Sequence, residues 1–225
     1  LVKTAAPTTT KLRVIGGHQQ MMRLDFEETG PLPEREEARL IQKAEKSLAA
    51  GVQAVILSDY GKGTCTAAVC AAVITAAHAQ GVPVVVDPKG GDWGRYRGAD
   101  YITPNLRELN EVQRAPAANE DSAVESAARY ALRRFHIKAM VATRSERGLS
   151  LIKPRSAVHI PTKAQEVFDV SGAGDTVIAV FALALAGGLA QADSAYLANV
   201  AAGVVVGKLG TYAVSREELL TALKR

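Results

Sequence analysis

The sequence predicts an α/β fold around a mostly parallel β-sheet, and three observations carry that expectation. Short apolar runs rich in valine and isoleucine end in polar residues, at VQAVILSDY (52–60), VPVVVD (82–87), DYIT (100–103) and KAMVATRS (138–145). Strands covered on both faces read in this continuous way. Helical stretches alternate with these runs, and glycines such as Gly51 and Gly81 close them. That alternation is the pattern of a sheet with helices packed on it.

Each element has its own local reason. Residues 11–15 and 21–26 flank Gly16-Gly17 and predict a β-hairpin with a Gly-Gly turn. Pro33 opens a helix whose apolar stripe is Leu40, Ile41, Ala44 and Leu48. Further helices are expected over about 65–80, from 105 in NLRELNEV, and over about 122–134. A short hairpin-like pair, GLSLI and SAVHIPT, precedes three closing helices at about 173–186, 193–208 and 215–223. Ser215 and Glu218 stand at capping-box spacing. Ligands in open α/β sheets sit beyond the carboxyl ends of the strands. One rim is therefore expected to carry Ser58-Asp59-Tyr60, Asp87-Pro88-Lys89, Thr103-Pro104-Asn105 and Thr143-Arg144-Ser145. No internal repeat or low-complexity linker divides the 225 residues, so one domain is expected over 1–225.

Composition narrows the function. An apolar share of 48% supports a sizeable core. The net charge of +4 and a sequence pI near 9.1 suit an anionic small ligand. Lysine and arginine are spread along the chain, and aromatics are only 5%, which argues against a nucleic-acid surface. Cys65 and Cys70 lack zinc spacing and read as small buried hydrophobes. The four histidines are scattered. No run reaches the roughly 18 apolar residues of a membrane span, and no signal-peptide pattern opens the chain, so a cytoplasmic protein is expected.

Phosphate sites are sought among glycine-rich turns that open helices. GVVVGK (203–208) is one residue short of a P-loop and has Leu209 where Ser or Thr belongs. GKGT (61–64) lacks the first glycine of that motif. The pair in DVSGAGDT (169–176) does not extend to G-x-G-x-x-G, because Val177 takes the third position. DVSGAGDT nevertheless precedes a long apolar helix, so Gly172, Ala173 and Gly174 are expected to offer N–H groups at its N-terminus, a ready anion site. Asp175 in the first turn either offsets the helix dipole or accepts a proton from an attacking hydroxyl. The second role is favoured, because a carboxylate among anion-binding amides otherwise repels what they hold.

These residues carry a family resemblance. DVSGAGDT resembles the C-terminal signature of the ribokinase-like (PfkB) carbohydrate kinases, and TPNLREL resembles their N-x-x-E motif at Asn105 and Glu108. TTTKLRVIGGHQQMMRLDFEE, LSDYGKG, VVDPKG, RYRGADYITPN, TRSERGLSL, AQEVFDVSGAGDTV and AAGVVVGKLGT are similar to the family branch acting on D-glycero-β-D-manno-heptose 7-phosphate, in ADP-heptose and lipopolysaccharide synthesis. The likeness covers essentially the whole chain. It departs in one way: such relatives place several βα units and a Gly-Gly sugar motif before the hairpin, and Gly16-Gly17 does not stand for that motif. The front of the sugar site is thus expected to be missing from residues 1–225, and the chain is expected to be a kinase alone or a piece of a two-domain protein.

The resemblance implies a ribokinase-like three-layer fold with a small β lid near residues 11–26. It implies ATP and Mg²⁺, and it is compatible with a monovalent cation. Asp175 would be the general base, with the Gly172, Ala173 and Gly174 amides on the transferring group. Asn105, Leu106, Arg107 and Glu108 would hold the Mg²⁺–phosphate assembly, Glu108 through water. Thr143, Ser145, Gly148, Asn199 and Gly203 would form the adenine pocket. Arg13, Gln20, Arg23 and Asp25 on the lid, with Asp59, Lys62 and Lys89, would meet the sugar or phosphates. Asp169 would shape the turn or help order a cation. A homodimer through the lid, and a fused or separate nucleotidyltransferase, are the implied partners. The alternatives are another PfkB-type sugar or nucleoside kinase, or an inactive sugar-binding relative.

Overall fold

The computed structural model describes residues 2–4, 7–17, 19–163 and 167–224, with Gln20 described by its backbone alone. A six-stranded sheet runs in the order β3(Val55–Ser58), β4(Val84–Asp87), β5(Tyr101–Ile102), β6(Ala139–Thr143), β7(Leu149–Lys153), β8(Ser156–Ile160). Strands β3 to β6 pair in parallel, and β7 and β8 add antiparallel at one edge. A separate antiparallel hairpin joins β1(Thr10–Gly16) and β2(Gln19–Phe26).

The alternation of side chains along each strand builds the layers. Val84, Val86, Ile102, Met140 and Ala142 point into one core. There they meet α1(Glu34–Ala49), α2(Ala67–Ala79), α3(Leu106–Glu111) and α4(Asp121–Phe135). Val85, Tyr101, Val141, Leu149 and Leu151 point the other way, against α5(Ala173–Ala186) and α6(Gln191–Val206). The Tyr101 and Phe181 rings meet edge-on at 5.0 Å within that second core. The last helix, α7(Arg216–Leu223), starts at Ser215, where the predicted capping box with Glu218 is formed.

Two expectations shift. Gly16 is the last residue of β1 and pairs with Gln19, so it belongs to the strand rather than to a Gly16-Gly17 turn; His18 lies outside the described residues. Gly17 takes the positive φ of +62° that such a loop requires. Helix α6 begins two residues before the expected start at 193, because its N-cap is Ala190, which has no capping side chain for the sequence to advertise.

The segment behind the hairpin is fastened to the sheet's ligand rim. Leu32 N–H donates to the Gly63 carbonyl at 3.4 Å. Gly63 sits at φ +87°, and a Cβ there would come within 1.5 Å of the Gly30 carbonyl oxygen.

Candidate active site

The rim beyond the parallel strands gathers three carboxylates from three elements, Asp87 ending β4, Glu108 in α3 and Asp175 in α5, with Asp59 after β3 buried behind them. Burial pushes the Asp87 carboxyl up to about 7, and the charges of Glu108 and Asp175 add to the push. Asp175 is exposed in the first turn of α5. Its Oδ1 accepts a hydrogen bond from the Tyr60 hydroxyl at 2.9 Å. That bond is the first cause of the raised pKa of the Tyr60 phenol.

The start of α5 has the shape the glycines imply. Gly172 is the N-cap in the left-handed region, at φ +79°. The Ala173 N–H departs from expectation: it donates to the Val170 carbonyl at 3.2 Å and closes a turn. Among the described residues, the N–H groups of Gly172, Gly174 and Asp175 have no acceptor. They are orphan donors at a helix N-terminus, which is where an anion fits. Asp169 shapes the same loop. Its Oδ1 accepts from Ser171 N–H at 2.8 Å and its Oδ2 from Gly210 N–H at 3.2 Å, and the Ser171 bond holds its carboxyl below the usual range.

Asn105 and Glu108 form a capping box at the start of α3. Glu108 Oε2 accepts from Asn105 N–H at 3.1 Å, and its Oε1 meets Lys89 Nζ at 3.2 Å. Between them the chain points elsewhere. Leu106 packs against the helix-side core, and the Arg107 side chain is 90% exposed, beside Glu111. These two are therefore not placed as ligand contacts by side chain. Among the described residues, no group of three His, Cys, Asp or Glu side chains is placed to hold a metal ion. Mg²⁺ typically keeps several waters and takes one or two carboxylates plus substrate phosphates. The rim fits that mode of binding, with Glu108 acting through water, and does not fit an all-protein cage.

Beside the α5 N-terminus lies a cavity of about 470 Å³. Thr143, Ser145, Gly148, Asn199 and Gly203 all line it, together with Gly174. Local geometry fixes its walls. Asn199 is buried and its Nδ2 donates to the Pro161 carbonyl at 2.8 Å. Gly148 has φ +78°, and a Cβ there would lie 2.1 Å from the Ile160 carbonyl oxygen. Ser145 holds a positive φ of 52°, a strained conformation for a residue with a side chain. Behind this wall Arg144 is buried, and its guanidinium bonds Asn119, Asp121 and Ser150. His159, unremarkable in sequence, joins that network through Ser150 at 2.8 Å.

The lid and loop residues are held mostly by one another. Arg23 Nε donates to Asp25 Oδ1 at 2.9 Å, Lys11 meets Asp25 at 3.1 Å, and Lys62 pairs with Glu27. Arg13 stands across from Arg23 and contributes favourably to the charge of Asp169, so the hairpin faces the α5 loop. The side chain of Gln20 lies outside the described residues. Asp59 is placed differently from expectation. It is 5% exposed and both oxygens are engaged, Oδ1 by Gly61 N–H at 2.7 Å and Oδ2 by Tyr96 Oη at 2.6 Å, with Arg95 at 3.3 Å. It braces the loop that carries Tyr60 and Lys62 instead of facing the open rim. The sequence placed Tyr60 on this rim, at a strand end, without giving it a role, and gave no sign of Tyr96 and Arg95.

Comparison with known proteins gives the same picture. The family model for pfkB family carbohydrate kinases matches residues 1–218. The bifunctional protein HldE of Mesorhizobium japonicum is 50% identical over 218 residues, and that of Sodalis glossinidius 48% over 219. Each match covers 97% of this chain and 44% of the relative, so the chain spans less than half the length of these relatives. Among solved structures, ribokinase from Giardia lamblia superposes with a TM-score of 0.77 at 19% identity, covering 99% of this chain and 73% of that one. Arabidopsis thaliana ribokinase, solved with ribose and ATP, gives 0.75 at 19% identity, covering 98% and 70%. The fold is ribokinase-like. With a family match across nearly all its residues, near-50% identity to HldE proteins, and the glycine turn and acidic rim in place, the chain belongs to the pfkB family of carbohydrate kinases.

Proposed function

We propose that this chain is the kinase unit that transfers a phosphoryl group from ATP to the anomeric C1 hydroxyl of D-glycero-β-D-manno-heptose 7-phosphate, giving the 1,7-bisphosphate. The observation that carries the reading is the pairing, at one helix start, of orphan N–H donors with the exposed Asp175 carboxylate. Asp175 takes the proton of the acceptor hydroxyl, while the Gly172 and Gly174 N–H groups lie where charge develops on the transferring group. Lys89 and Glu108 are positioned to orient phosphate and the hydrated Mg²⁺, whose chemistry is to neutralise charge on the phosphates. The cavity lined by Thr143, Gly148, Asn199 and Gly203 receives the adenine. Arg13 and Arg23 on the hairpin, with Lys62 on the loop paired to Glu27 behind it, suit a sugar that already bears a phosphate.

The near-50% identity to HldE proteins supports the heptose reading, and their bifunctional name supports a nucleotidyltransferase in the same polypeptide. A homodimer through the hairpin is part of the proposal; its strands expose Leu12, Met21, Met22 and Phe26. A cytoplasmic site of action is part of it too. Among the described residues no helix is long and apolar enough to cross a membrane.

The test is ADP release across a panel of sugars and sugar phosphates. Heptose 7-phosphate is expected to give the highest kcat/KM; preference for ribose or a nucleoside overturns the assignment. Asp175→Asn is expected to lower kcat by about 10²–10⁴-fold, the usual share of a general base, with ATP affinity retained by calorimetry. An active Asn variant removes the base role.

A further inference from the structure

Tyr60 reaches Asp175 across 115 residues of sequence, and it comes from a different element, the loop that follows β3. The residue is 59% exposed, so core packing does not explain where it stands. The contrast with Tyr96 is informative. Tyr96 is fully buried, and its hydroxyl serves Asp59 inside the scaffold. Tyr60 sends its hydroxyl to a carboxylate at the open rim. The bond engages Oδ1 only; among the described residues, Oδ2 of Asp175 has no partner. The loop that presents Tyr60 is itself braced, since Asp59 beside it is held by Gly61 N–H, Tyr96 and Arg95.

We propose that Tyr60 is a positioning residue for the phosphoryl transfer: its hydroxyl fixes the rotation of the Asp175 carboxylate, so that Oδ2 is left aimed at the acceptor hydroxyl. The inference rests on the reading of Asp175 as the proton acceptor. A carboxylate turns readily about its terminal torsion. A donor on one oxygen removes that freedom. The other charged groups at this rim are Asp87 from β4, Lys89 after it, and Glu108 from α3. They are left unchanged by a substitution at Tyr60, so a shift in the behaviour of Asp175 reports the hydroxyl itself.

The experiment compares the intact chain with Tyr60→Phe. The variant is expected to lose about tenfold in kcat, the scale of one hydrogen bond to a charged group, with KM for ATP unchanged. The double variant Tyr60→Phe with Asp175→Asn is expected to be no slower than Asp175→Asn alone, because the hydroxyl acts only through the carboxylate. Wild-type kcat in Tyr60→Phe, or a further tenfold loss on the Asp175→Asn background, overturns the proposal. Retained turnover in Asp175→Asn instead overturns the base reading, and the positioning role with it. A loss of melting temperature in Tyr60→Phe, with wild-type kcat below the unfolding transition, assigns Tyr60 to structure alone and also overturns it.

Discussion

The cavity side and the hairpin side of this site are built by opposite means. The cavity wall is rigid: a positive-φ glycine, a strained serine and a buried arginine network leave little freedom. The hairpin side is two strands with both faces exposed, held across by Lys11, Arg23, Lys62, Asp25 and Glu27. Exposed ion pairs are weak and screened by salt. Under the proposed function, that difference would suit two ligands of different kinds. A flat base would be recognised by a preformed slot, and a phosphorylated sugar would be met by the more open side.

Three substitutions test that contrast. Gly148→Ala on the rigid side carries the largest expected effect. Its Cβ meets backbone atoms that cannot move aside, and the left-handed conformation adds strain, for a loss of about 3 kcal/mol or more. Chemical denaturation and ATP titration should show stability and affinity falling together. If the variant is as stable as wild type, the wall is not rigid.

Asp87, on the floor between the two sides, comes next. Its folded pKa of about 7 lies above the unfolded value of 3.8. The protonated form is thus favoured by folding, and this contribution is fully present below about pH 4 and lost as pH rises through 7. At 1.36 kcal/mol per unit the loss is at most about 4 kcal/mol. Asp87→Asn, measured with chelator present, should flatten the decline in stability between pH 4 and 8 and be more stable than wild type at pH 8. An unchanged decline would remove the buried-carboxyl explanation.

The smallest effect is expected on the open side. Arg23→Ala should leave the melting temperature unchanged while raising KM for the sugar phosphate several-fold, with a weaker response of KM to added salt. A large drop in melting temperature would show that the hairpin is structurally integral, and would erase the distinction between the two sides.

Much of the fold was legible because its signals are local. The apolar runs became β3, β4 and β6, Gly172 became a left-handed cap, and Asn105 with Glu108 became a capping box. Within the site, the positions of Asp175 and the cavity-lining Thr143, Gly148, Asn199 and Gly203 were also readable, through the motif and its resemblance. What escaped was non-local or lacked a side-chain signature. The Tyr60–Asp175 bond joins residues 115 positions apart, about half the chain. The 3₁₀ turn Gly94–Tyr96 is fixed by burial of Trp93 and Tyr96, not by a pattern in its three residues. The engagement of the Ala173 N–H by Val170 is a matter of backbone geometry alone. Asp59 looked like a rim residue because its partners, Tyr96 and Arg95, lie 36 or 37 positions away.

The close approach of Gly63 to Gly30 sets an unequal tolerance to change. A side chain at position 63 would strike the Gly30 carbonyl, while one at position 30 would meet nothing within 4 Å. The obstacle is a peptide oxygen, which every amino acid carries. No replacement at position 30 can therefore make room for a side chain at 63, and the two glycines cannot compensate for each other. In a saturation library position 30 should accept many residues and position 63 almost none, although both read simply as glycine in a loop.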